Sequence, residues 1–109
     1  MTAYKTGILS IECLNKVSYN KVMDREKAEK IEKYCIKNGV NEHFFNSFIN
    51  RIYFYPYKQI KALEKYKNES LTKEKIPQFK LLISCLLEID KDNPKKEEWQ
   101  KAFNLLNAF

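Results

Sequence analysis

The stretch "PQFKLLISCLLEID", residues 77–90, decides the fold class. Phe79, Leu82, Ile83, Leu86 and Leu87 recur at helical spacing, and Leu81 and Cys85 stand beside them. Apolar side chains therefore cover more than half the circumference, and a helix apolar over so much of its surface belongs at the centre of a core. Pro77 is well suited to the first helical position, so the reading begins this helix there. Upstream, "KNESLTKEK" (67–75) reads as a loop. Downstream, Asn93 with Pro94 marks the start of a last helix whose stripe is Trp99, Ala102, Phe103 and Leu106.

The rest of the chain supplies helices to surround that centre. Asn41 is placed to cap "EHFFNSFINRIYFY" (42–55), with Phe44, Phe45, Phe48, Ile49 and Ile52 on one broad face. Pro56 has no N–H to donate and restricts the residue before it, so this helix ends near Tyr55 and the next begins at Pro56. That next helix is expected to turn Tyr57, Ile60, Leu63 and Tyr66 inward. Asp24 caps an earlier helix over 25–38, with Ala28, Ile31, Tyr34 and Cys35 inside and Gly39 as a left-handed stop. A first helix is read in "TAYKTGILSIECLNKVSY" (2–19) from Tyr4, Ile8, Ile11 and Leu14. Only two glycines and three prolines among 109 residues leave few tight turns for an all-β fold. The expectation is an all-α, compact bundle of five to six helices in a single domain spanning 1–109.

Charge and chemistry narrow the function. Twenty Lys plus Arg against fourteen Asp plus Glu give a formal charge of +6, which favours acidic partners. There is no phosphate-binding glycine loop, no G-x-S-x-G elbow and no H-E-x-x-H. His43 is the single histidine, and Cys13, Cys35 and Cys85 are too far apart in sequence for a metal clip, so they read as small buried apolar residues. The expectation is a protein with no catalytic residues, no metal and no cofactor. No apolar run reaches the ~20 residues that span a bilayer, and the N-terminus lacks a signal peptide's pattern, so a cytoplasmic location without a membrane partner is expected.

The basic excess is concentrated. Residues 51–67, "RIYFYPYKQIKALEKYK", hold five basic residues and one acid. If Pro56 starts a helix, Lys58, Lys61 and Lys65 form one ridge about 100° or more from the apolar ridge. Arg51 precedes them, and Tyr55 or Tyr57 would stand at the helix break. Cations along a ridge with rings beside them suit a phosphate backbone and stacked bases. The candidate site for nucleic acid or another anionic partner is therefore Arg51, Lys58, Lys61, Lys65, Tyr55 and Tyr57. The 25–38 helix carries lysines as well, but Glu26 with Lys30 and Glu29 with Lys33 are i,i+4 pairs, so its outer face reads as balanced, solvated surface, with Lys27 and Lys33 as the control positions.

The pattern "AYKTGIL" (3–9) followed by "LNKV" (14–17) resembles the first helix of the small helical subunit of type I CRISPR effector complexes, over less than a fifth of the chain. The resemblance implies an antiviral-defence ribonucleoprotein subunit without catalytic residues. It would hold crRNA, target strand or displaced strand through basic side chains, here Arg51, Lys58, Lys61 and Lys65. Two partner classes follow: RNA or single-stranded DNA, or a larger protein complex. In the second case the chain is a small phage- or plasmid-type module, an inhibitor such as an anti-CRISPR or an immunity or adaptor protein, anchored by its surplus of aromatic residues.

Overall fold

Asp24, Asn41 and Pro56 each start a helix in the computed structural model, which describes residues 23–109. The Asp24 carboxylate accepts from the Lys27 N–H at 3.1 Å and opens α1, Arg25–Lys37. Beyond Asn38, Gly39 takes a φ of 107°, a conformation that suits a residue without Cβ. Its N–H donates to the Ile36 carbonyl, and the Val40 N–H donates to that of Cys35, closing the helix end in a Schellman arrangement with Val40 buried. Gln78 fixes this turn from a distant helix: its Oε1 accepts from the Asn41 N–H at 2.7 Å and its Nε2 donates to the Gly39 carbonyl at 3.3 Å. The Asn41 side chain accepts from the Phe44 N–H at 2.9 Å and opens α2, Glu42–Phe54.

Tyr55, at φ −137° and ψ 54°, leaves the helical region. Pro56 then begins α3, Pro56–Leu63, which tightens into a 3₁₀ turn over Glu64–Tyr66. The remaining helices are α4, Ser70–Ile89, and α5, Lys96–Asn107. Among the described residues these five helices form one all-α bundle around a shared core. Helix α4 is its centre: Phe79, Leu82, Ile83, Cys85 and Leu86 are buried, and it packs against α1, α2 and α5, while α5 also covers α3. Trp99 of α5 is fully buried and its Nε1 donates to the Tyr53 carbonyl at 3.1 Å, so the large ring enters the core with its polar atom satisfied. Truncating Leu82 or Leu86 to Ala removes fully buried methyl groups, at a cost of ~2–5 kcal/mol.

The expectation that 67–75 is a loop and that Pro77 opens the central helix is corrected: α4 begins at Ser70 and carries Pro77 in its interior. Pro77 withholds one N–H from the ladder, normally a cost of ~3 kcal/mol. Both Lys73, whose carbonyl loses that bond, and Pro77 are exposed, so water is at hand for the orphaned oxygen. Buried Thr72 and half-buried Ile76 hold the first turns against the bundle. The Asn93–Pro94 signal is placed correctly but acts through a turn. The Asn93 side chain accepts from the Lys95 N–H at 2.8 Å, and the regular helix follows from Lys96. Cys35 and Cys85 are buried as read. The helix expected over 2–19, Cys13, and the stretches that carry the CRISPR resemblance lie outside the described residues.

Candidate anionic-partner interface

The break at Tyr55 sets the direction of everything in 51–67. The Tyr55 N–H closes α2 on the Arg51 carbonyl at 2.7 Å, and the Tyr55 carbonyl accepts from Gln59 at 3.0 Å, so one residue ends one helix and begins the next. Buried Pro56 and Ile60, with half-buried Leu63, form the inner face of α3. Lys58, Lys61 and Lys65 are all exposed, on the opposite side, as the spacing predicts. Lys61 Nζ lies 3.1 Å from Glu64 Oε1, and that hydrogen bond and charge, with Tyr57 nearby, hold its ammonium above the ordinary value. Among the described residues Lys58 and Lys65 have no acidic partner. Lys65 Nζ lies 5.9 Å from the centre of the Tyr66 ring.

The other three candidates do not share that ridge. Arg51 is exposed, but its guanidinium lies back over Phe48, one turn earlier in α2, with Cζ 5.4 Å from the ring centre. Tyr55 and Tyr57 are half-buried and associate with lysines of the α5 region. Lys95 Nζ is 5.8 Å from the Tyr55 ring centre and Lys101 Nζ is 5.4 Å from that of Tyr57. Tyr57 lines an open groove with Pro94, Lys95, Glu97, Glu98 and Lys101. This groove has mixed charge: Lys95 Nζ pairs with Glu98 Oε1 at 3.3 Å and donates to the Phe54 carbonyl at 2.8 Å. Residues 51–67 thus divide between the α3 ridge, the outer face of α2 and the groove against α5.

One ring is left accessible on the ridge side. Tyr66, expected to face inward, is 47% exposed. Position 66 lies past Leu63, where the regular helix ends, in the 3₁₀ turn over Glu64–Tyr66, none of whose residues is buried. Leu71, at the start of α4, is 66% exposed, so the connection from α3 to α4 presents a ring and an aliphatic side chain beside Lys65 and Lys67.

Tyr53, the remaining tyrosine near the break, is structural. It is buried, its hydroxyl lies 3.2 Å from Asp90 Oδ2, and it accepts from Asn93 Nδ2 at 2.8 Å. Lys27 of α1 completes the cluster, with Nζ 3.0 Å from the same carboxylate oxygen. Burial pushes the Asp90 carboxyl up, but hydrogen bonds from Lys27 and Asn93, the Lys27 charge and the Tyr53 hydroxyl outweigh it and hold the group below its ordinary range. Hydrogen bonds to Tyr53 and Asp90 correspondingly raise the Lys27 ammonium. Lys27 is thus a tie between α1 and the α4–α5 turn, which corrects the reading of this position as solvated surface. Burial, with Cys85 adjacent, pushes the Cys35 thiol far above its ordinary value, as expected of a packing residue.

His43 is exposed at the start of α2. Among the described residues no three His, Cys, Asp or Glu side chains come together in an arrangement that holds a metal, and no helix is long and apolar enough to cross a membrane. Lys75, Lys95 and Lys101, which associate with the rings, escape a reading by sequence because they come from helices distant in the chain. No protein-family model matches the chain, nor does any curated protein or solved structure.

Proposed function

We propose that the protein is a non-enzymatic binder of a nucleic-acid backbone, RNA or single-stranded DNA, and that α3 carries the contact. One observation supports this most directly: Lys58 and Lys61 on a short helix and Lys65 on the 3₁₀ turn that extends it are all exposed, and Glu64 alone among the described acids pairs with any of them. Exposed cations that neutralise phosphates release condensed counterions, and that release drives the association. Tyr66 is the ring we assign to stacking, in preference to Tyr55 and Tyr57, because it is exposed and they are half-buried. A place as a small subunit in a larger ribonucleoprotein accords with a ridge that contacts backbone and reads no base.

Exposed Leu71 favours a second reading, a module that docks on a protein, because an aliphatic side chain 66% exposed suits an apolar contact better than a phosphate. Fluorescence anisotropy of a labelled single-stranded oligonucleotide, at low and at physiological salt, separates the two. The proposed function requires binding that weakens steeply as salt rises. Failure to bind at low salt ends it and leaves the protein-docking reading.

A further inference from the structure

Phe48 is half-buried, and two cations from different helices lie over it: Arg51 Cζ at 5.4 Å and Lys75 Nζ at 5.9 Å from the ring centre. Of the described cations, one each lies over Tyr53, Tyr55, Tyr57 and Tyr66. Two of those cations, Lys27 and Lys95, are also paired with acids, Asp90 and Glu98. Arg51 and Lys75 have no acidic partner among the described residues. Two like charges drawn to one ring repel each other, and an anion between them relieves the repulsion.

The floor beneath them is fixed. Phe48 packs at 4.8 Å against Phe44 and at 4.9 Å against Phe79, and Phe44 meets Phe79 at 4.8 Å, so three rings lock α2 against α4. The contacts Phe44–Phe79 and Phe48–Lys75 run in opposite chain directions, which makes the two helices antiparallel here and brings Arg51 toward the start of α4. Each cation therefore projects from a packed helix whose backbone is already ordered, and binding costs only the rotamer freedom of the two side chains. Guanidinium supplies a planar fork that matches two phosphate oxygens, and ammonium supplies a point charge for a third.

We infer that Arg51 and Lys75 clamp one backbone phosphate of a single-stranded nucleic acid over Phe48, as a contact separate from the α3 ridge. The inference rests on the proposed function and adds to it a second anchoring point, with Lys75 as a residue that 51–67 does not contain. A strand long enough to meet both contacts engages both.

The test uses the full chain with Arg51→Gln and Lys75→Gln together, and labelled oligouridylates of about 4 and about 12 nucleotides, within the range of single-strand site sizes. With the longer probe the double variant flattens the slope of log affinity against log salt by roughly 0.7, the value for one phosphate on a single strand. With the shorter probe, which can meet fewer contacts, the flattening is no larger. Arg51→Lys keeps the slope with the longer probe but weakens binding, because the charge remains and the fork is gone. This arm stays informative should the double variant lose its thermal transition. Unchanged affinity and slope for the longer probe, with Lys58→Glu and Lys61→Glu still impairing it, would overturn the clamp and leave the ridge. Absence of wild-type binding to either probe overturns both.

Discussion

Helices α1 and α3 both carry lysines on their outer faces, and those lysines do different work. On α1, Arg25 Nε lies 3.6 Å from Glu29, and Lys27 reaches across to Asp90 and Tyr53. On α3 only Lys61 meets an acid, and that acid lies three residues along the same chain segment. No cation of the α3 ridge forms an ion pair with another helix among the described residues. The lesson is that a lysine's role depends on what lies across from it: Lys27 ties α1 into the fold, whereas the ridge lysines of 58–65, like exposed Lys30 and Lys33 of α1, form no ion pair with another helix among the described residues.

The sharpest way to break that contrast is to reverse Lys27. Lys27→Glu sets a second carboxylate against Asp90 and removes a hydrogen-bond donor from a partly buried cluster, an expected loss of about 1–2 kcal/mol, reduced by the 42% exposure of the Lys27 side chain. Urea denaturation measures it, and a wild-type midpoint would show that the tie is idle. Asp90→Asn is milder, about 1 kcal/mol near neutral pH, and it carries a pH signature. The folded carboxyl titrates below its ordinary range. Its stabilisation is therefore complete above the unfolded value of about 3.9 and disappears as pH falls through the lower, folded value. The gap between wild type and Asp90→Asn should narrow as pH is lowered from about 5 toward 2; a gap that is constant over that range contradicts the assignment. The smallest effect on stability belongs to the ridge. Lys58→Glu or Lys65→Glu should move the unfolding free energy by no more than ~0.5 kcal/mol, and a loss comparable to that of Lys27→Glu would dissolve the distinction between the helices.

How far these roles were legible in the sequence follows the range of the interactions involved. Caps and breaks are local, so Asp24, Gly39, Asn41 and Pro56 announce the starts and stops that the structure contains. The apolar stripe of 79–87 is strong enough to mark α4 as the centre. Its first turns escape such a reading because "SLTKEK" buries little beyond Thr72 and because an interior proline reads as a beginning. Exposure of the ridge lysines was legible from helical phase alone. The environment of the rings was not: Tyr57 meets Lys101 and Phe48 meets Lys75 only after distant helices pack. For the same reason Lys27 looks in the sequence like one more solvated cation in an alternating charge run, although its partner Asp90 lies at the far end of α4.

The contrast between the two helices also selects the control for the central test. Lys27 is unsuitable because its reversal disturbs the fold, so Lys30 and Lys33, both exposed on α1, replace it. The decisive measurement is the salt dependence of binding to a single-stranded oligonucleotide for Lys58→Glu with Lys61→Glu, set against Lys30→Glu with Lys33→Glu. Each phosphate that the protein no longer neutralises flattens the slope of log affinity against log salt by about 0.7, so the α3 pair should flatten it by roughly one to two units while the α1 pair changes it much less. Equal slopes in the two variants would contradict the account and return the lysines of α3 to ordinary solvated surface.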